Sequence, residues 1–140
     1  MEIVIRPFVG ADREAVVRLW TDCGLVVPWN DPARDLARKL SQQREMVLVA
    51  EHDGRIVGSV MAGFDGHRGS ANYLAVDPNH RKQGIARRLM SEAERLLTEA
   101  GCPKINVMVR RSNLTAAGFY DRLGYTPDDV VVYGKRLIAD

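Results

Sequence analysis

Cysteine is scarce, with two in 140 residues. Cys23 and Cys102 lack C-x-x-C spacing, so neither a thiolate metal site nor a disulfide framework is open to them, and a reducing compartment is expected. Long apolar runs are also missing. Ile3-Val4-Ile5 is stopped by Arg6, far short of a signal-peptide core, and no stretch approaches the ~18 residues that span a bilayer. The expectation is a cytoplasmic protein with no membrane partner. Excess charge of one sign is absent too: 20 basic against 18 acidic residues leave +2, too little for a protein that coats nucleic acid. Neither G-x-x-x-x-G-K-[ST] nor G-x-G-x-x-G occurs, which removes the two commonest nucleotide loops.

What is present suits an independently folding domain. A chain with 46% hydrophobic and 27% charged residues lies well away from disordered compositions, and its length predicts one domain over residues 1–140. Ile3–Ile5 reads as a short strand. From Asp12, a candidate N-cap, Val16, Leu19, Trp20 and Cys23 recur at helical spacing, with Gly24 at the stop. Asp31 and Pro32 open a second helix carrying Ala33, Leu36, Ala37 and Leu40. Two β-rich runs, Met46–Glu51 and Arg55–Phe64, meet at Asp53-Gly54, a hairpin signal. Ala71–Val76 is a further strand. A long helix is predicted from about Gly84 to Gly101, an alternating strand over Ile105–Val109, a fourth helix through Ala116, Phe119, Tyr120 and Leu123, and a closing strand over Val130–Ile138. The order β-α-α-β-β-β-α-β-α-β predicts a mixed α/β (α+β) domain with a mostly antiparallel central sheet and about four helices.

The informative segment is Leu74-Ala75-Val76-Asp77-Pro78-Asn79-His80-Arg81-Lys82-Gln83-Gly84-Ile85-Ala86. A strand ends, and a basic, glycine-bearing loop opens a long helix. Such a loop presents unpaired backbone N–H groups at the positive end of the helix dipole. Gly84 allows close approach of a phosphate, Ala86 keeps the first turn clear, and Arg81 and Lys82 add charge. The competing reading, a solvated basic helix face, explains the charges but not the glycine.

The spacing R-x-x-G-x-A after an apolar strand resembles the coenzyme A pyrophosphate loop of the GNAT acetyltransferases, with Arg81, Gly84 and Ala86 at its fixed positions. Asn113-Leu114-Thr115-Ala116-Ala117-Gly118-Phe119-Tyr120, followed by Leu123-Gly124-Tyr125, is similar to the family's second motif. Pro28–Pro32 and Gly66–Gly69 further resemble the small bacterial YpeA-like group. The resemblance implies a single GNAT domain whose central strands splay around the cofactor. It also implies acetyl-CoA as cosubstrate and direct attack by a primary amine, from a small molecule or a protein, in a ternary complex.

By the same resemblance, Leu74 supplies a backbone N–H that polarises the acetyl carbonyl, Ala75 and Val76 pair with the pantetheine arm, and Arg81, Lys82, Gln83, Gly84, Ile85 and Ala86 surround the pyrophosphate. Asn113 is a helix cap and a cofactor contact. Tyr120, with a reference pKa of about 10, is the acid for the leaving thiolate; completing the Phe119–Leu123 apolar stripe is its alternative role. Family members with an ionisable residue on the strand before the loop are matched here by Ser70 and Asn72, which cannot act as a base. His67, Asp65 and Glu51 are the candidate bases, His67 the best matched in pKa, and a water chain is the alternative. Trp29 and Asn30 are expected on the acceptor side with Asp65; Trp29 as a plain core anchor is the competing reading. Cys23 and Cys102 read as buried apolar residues and His52 as surface. No metal site is expected. The apolar Val130–Tyr133 segment offers an edge for a homodimer. A non-catalytic acyl-CoA-binding module is the rival function, favoured by the absence of a carboxylate at positions 70 and 72.

Overall fold

The computed structural model describes residues 2–140, which divide into two compact units, one ending at Val107 and the other running over Met108–Asp140. The first holds β1 (Val4–Pro7), α1 (Arg13–Asp22), α2 (Pro32–Leu40), β2 (Val47–His52), β3 (Arg55–Phe64), β4 (Gly69–Val76), α3 (Ile85–Glu99) and β5 (Ile105–Asn106); the second holds α4 (Leu114–Arg122). The strands lie in sequence order, antiparallel from β1 to β4, with β5 parallel to β4. Four helices and a mixed, mostly antiparallel sheet are the predicted architecture. Among the described residues no helix is long and apolar enough to cross a membrane.

Alternation along the strands builds two cores. Val47 and Val49 of β2, Met61 of β3 and Ala75 of β4 share one face with Val16, Leu19 and Trp20 of α1 and Leu36 of α2. The other face meets α3. There Gly58 leaves room for close approach: a Cβ at this position would stand 3.1 Å from both Ile85 and Leu89 side chains and 3.2 Å from the Ala50 Cβ. The Asp53-Gly54 turn has φ of 49° and 75°, the double positive φ of a type I′ hairpin. Asp31 caps α2 by accepting from the Ala33 and Arg34 amides.

Some local expectations are corrected. Asp12 does not cap α1 with its side chain; its carboxylate accepts from the Val9 amide and from Arg6, which also bonds Glu51. The pull of a guanidinium exceeds that of a neutral amide, so the charge pair decides the geometry. The fifth strand is two residues long rather than the predicted Ile105–Val109. No strand forms over Val130–Ile138 within the second unit, which holds no other extended segment to supply a ladder. Trp29 is 53% exposed and not a core anchor; the fully buried tryptophan is Trp20. Cys23 and Cys102 are half-buried, not buried, because each thiol donates to a carbonyl, of Val76 and of Lys104. His52 is also half-buried, with Nδ1 2.9 Å from the Glu2 carbonyl.

In the core beneath α1, the Trp20 indole donates to Ser59 Oγ at 2.8 Å, and that hydroxyl donates to the Tyr73 carbonyl at 2.9 Å. Ser59→Ala removes the acceptor of a buried N–H, so the loss should approach the full desolvation penalty of about 1–3 kcal/mol. Urea unfolding checks this, and a change of a few tenths would show that the chain of bonds contributes nothing.

Candidate functional site

The β3–β4 register sets the shape of the first unit's open edge. Ser59 faces Ala75 and Met61 faces Asn72, so two steps on β3 oppose three on β4, and β4 carries an extra residue. Tyr73 has φ of +52°, a left-handed conformation unusual for an aromatic residue. Three contacts hold it there: the Ser59 bond to its carbonyl, a ring stack on Trp20 with centroids 3.9 Å apart, and a 2.6 Å hydrogen bond from its hydroxyl to Asp35 on α2. Such bulges re-aim the backbone that follows.

The backbone that follows is Leu74-Ala75-Val76. β5 pairs with β4 only at Gly69 and Ser70, so among the described residues of this unit no strand covers the same side of β4 from Ala71 onward. The Asp77 amide donates to the Val57 carbonyl, and antiparallel alternation then turns Ala75 toward β3 and Val76 and Leu74 toward the uncovered side. The Val76 carbonyl receives the Cys23 thiol and Arg81 Nε, each at 3.3 Å. The splayed sheet is therefore visible as a strand edge open from Ala71 to Val76.

Beyond Val76, Asp77 caps a short turn by accepting from the Asn79 amide, and its other oxygen lies 3.2 Å from His80 Nδ1. Lys82 and Gly84 both have positive φ, 64° and 79°, which turns successive N–H groups inward in the manner of an anion nest. Gly84 is the N-cap of α3, no side chain caps that helix, and its first turn holds no acid. Arg87 and Arg88 stand there instead, exposed. Cations at a helix N-terminus oppose the macrodipole, so the positive end of α3 is left without a compensating charge from its own first turn. Arg81, Lys82, Gln83 and Gly84 are exposed, Ile85 is buried, and Ala86 is half-buried.

In the second unit, Asn113 caps α4 by accepting from the Ala116 amide at 3.1 Å. The helix ends where the Gly124 and Tyr125 amides turn back to Asp121 and Tyr120. Tyr120 lies half-buried between Phe119 and Tyr125, with ring centroids 5.1 Å and 5.3 Å away. Burial raises its pKa.

The remaining candidates are scattered. Asp65 accepts from the His67 and Arg68 amides in the β3–β4 turn, and those bonds lower its pKa. His67 is exposed in the same turn, about 20 Å of extended chain from Leu74. Glu51 is bonded to Arg6 on the β1 side of the sheet. Trp29 and Asn30 occupy the α1–α2 connection, where the Asn30 amide closes a turn on Val27. The residues that sequence reasoning missed are Tyr73, Asp35 and Lys39. Tyr73 sits in an apolar strand where a bulge leaves no periodic signature, and the two α2 residues resemble any solvated helix face until α2 is docked.

A match to the Acetyltransferase (GNAT) family runs over residues 13–125. The chain belongs to this family. An acetyltransferase of Yersinia enterocolitica is 52% identical over 136 residues, 97% of this chain and 96% of its own. An acetyltransferase of Pectobacterium atrosepticum matches to the same extent. Among solved structures, the PaiA N-acetyltransferase of Thermoplasma acidophilum, in complex with coenzyme A, shares the fold at a TM-score of 0.81 and 20% identity, with 94% of each chain covered. The aminoglycoside N-acetyltransferase AAC(6')-Iy, in complex with a bisubstrate analogue, does so at 0.79 and 20% identity over 97% of this chain and 99% of its own.

In this GNAT acetyltransferase the tyrosine that the second motif singles out keeps its proton to higher pH than a free phenol. Spectrophotometric titration should therefore show ionisation above the free-phenol range, and Tyr120→Phe should reduce the amplitude of that late component by one tyrosine. An unchanged late amplitude in Tyr120→Phe would show that Tyr120 does not contribute to it.

Proposed function

We propose that the protein transfers the acetyl group of acetyl-CoA to the primary amine of a small-molecule or peptide acceptor by direct attack in a ternary complex. The observation that carries this reading is the α3 N-terminus, a glycine-capped helix start with two arginines in its first turn and two left-handed residues in the loop before it. These features suit the pyrophosphate of coenzyme A. Residues 1–140 are taken as one catalytic domain, because the family match runs through both units. Two unpaired cysteines suit a cytoplasmic protein, and pairing of Val130–Tyr133 across a homodimer belongs to the same reading.

When bound, acetyl-CoA supplies a thioester whose carbonyl carbon is the electrophile. The amides of Gln83, Gly84, Ile85 and Ala86 hold the pyrophosphate, with Arg81 and Lys82 adding charge. Leu74 and Val76 offer polar backbone groups on the uncovered edge of β4; the Leu74 N–H meets the charge that builds on the carbonyl oxygen, a pre-set donor of the kind that lowers such barriers. Ala75 contributes through its place in the strand rather than through an outward N–H. Asn113 supports the cofactor by fixing the start of α4. Tyr120 donates its proton to the departing thiolate, a role for which its raised pKa keeps it neutral and protonated at neutral pH. Trp29 and Asn30 border the acceptor. His67 and Asp65 lie in a turn remote from Leu74, so this reading gives the amine proton to water.

Gly84→Val places a β-branched residue at φ +79°, where no atom lies within 4 Å of its Cβ. The expected defect is therefore conformational: the loop abandons its left-handed turn at a cost of about 1–2 kcal/mol or more, and coenzyme A binding by calorimetry falls below detection. Wild-type affinity would remove the pyrophosphate from this loop. Tyr120→Phe keeps the ring and loses the hydroxyl. Single-turnover acetyl transfer should slow by about 10²- to 10⁴-fold with coenzyme A affinity unchanged. A rate within about threefold of wild type is too small a loss for general-acid catalysis and would return Tyr120 to a packing role.

A further inference from the structure

The inner face of α2 carries two charged side chains one turn apart, and both reach the sheet. Asp35 accepts the Tyr73 hydroxyl beside the bulge. Its side chain remains 23% exposed and its other oxygen bonds Arg38 at 2.7 Å, a surface pair of small net worth. Lys39 reaches the opposite end of the same strip, where its ammonium occupies the space over Gly63: a Cβ built there would stand 3.0 Å from Lys39 Nζ and 3.7 Å from Ser70 Oγ. Gly63 pairs with Ser70 and Met61 with Asn72. Directly opposed residues share a face, so exposed Ser70 and Asn72 line the sheet beneath α2 between the two charges.

Lys39 is poorly compensated where it sits. It is half-buried, and its nearest polar partner is Gln43 Oε1 at 3.5 Å. That amide is already committed to the Phe64 backbone, accepting at 2.9 Å and donating at 2.7 Å. Among the described residues no carboxylate lies within ion-pair distance of the ammonium. Desolvation lowers its pKa, against an upward pull from more distant Glu45. A half-buried cation beside an open polar strip is stabilised by an anion that brings its own charge.

We propose that the strip formed by Asp35, Lys39, Ser70, Asn72 and Tyr73 is the acceptor subsite, and that it selects an amine bearing an anionic group: the amine lies at the Asp35–Tyr73 end, beside Leu74, and the anion lies on Lys39 and Ser70. Residues four apart on a helix face stand roughly 5–6 Å apart at Cβ, so the two groups of the acceptor are separated by a few bonds, as in a small amino carboxylate. The proposal rests on the acetyl group being held at Leu74, as in the reading above, and it names the class of acceptor that reading leaves open. Gly63 has a function in it, since a side chain there would crowd the Lys39 ammonium where it meets the sheet.

The test compares ω-amino carboxylates of graded length with the corresponding amides, both as substrates and in calorimetric binding to the protein saturated with coenzyme A. The best carboxylate should exceed its amide by about 10- to 100-fold in kcat/KM and in affinity, the worth of a hydrogen-bonded charge. Lys39→Met should bring that ratio close to one while coenzyme A affinity stays unchanged and the unfolding midpoint does not fall. Ser70→Ala, at an exposed strand position that does not threaten folding, should narrow it by about two- to tenfold. Amides that match carboxylates in the wild type, or a preference that survives in Lys39→Met, would overturn the subsite while normal coenzyme A binding leaves the cofactor reading intact. Failure of the wild type to bind coenzyme A would overturn that reading, and the subsite with it.

Discussion

A tyrosine held in a left-handed turn at the middle of a strand is the constraint on which the first unit's geometry depends. Strain of this kind costs on the order of 1–3 kcal/mol and persists only where its surroundings over-determine it. Here the surroundings are supplied by three elements: Trp20 from α1 through stacking and through Ser59, β3 through the Ser59 hydroxyl, and α2 through Asp35. Without the extra residue on β4, Leu74 would fall into the ladder with β3 and its N–H would be consumed there. The placing of α1 and α2 on one face is thus coupled to the direction in which one backbone amide points on the edge of the sheet.

The loop and the bulge divide the work of the site by distance and by charge. At the α3 end, positive charge is concentrated where a helix would ordinarily carry acids, so the local electrostatics are unfavourable until an anion arrives. At the α2 end, charges of both signs are set a turn apart over a polar strand. The two ends of the unit thus present different fields, one of positive charge alone and one of paired charges.

Legibility in the sequence followed the range of the interactions involved. The Asp53-Gly54 hairpin, the Asp31-Pro32 start of α2, the Gly84 start of α3 and the Asn113 cap of α4 are decided within a few residues, and each was readable from local chemistry. So was the glycine-opened, basic start of α3, because a glycine, two cations and a helix start lie together in the chain. Asp12 misled because a distant guanidinium outbids the amides of its own helix. Trp29 and Trp20 have similar apolar neighbours, and only packing separates the exposed one from the buried one. Tyr73 and Lys39 acquire their meaning from residues 38 and 24 positions away, Asp35 and Gly63, a relation that no local pattern encodes.

The close approach at Gly58 ties the start of α3 to the hydrophobic core. The two side chains that stand over it belong to Ile85, the first residue of α3, and to Leu89 one turn on. A side chain at Gly58 presses on the first turn of α3 as well as on the interior. The freedom of β3 to vary at this position is therefore limited by where a helix 27 residues further along the chain begins.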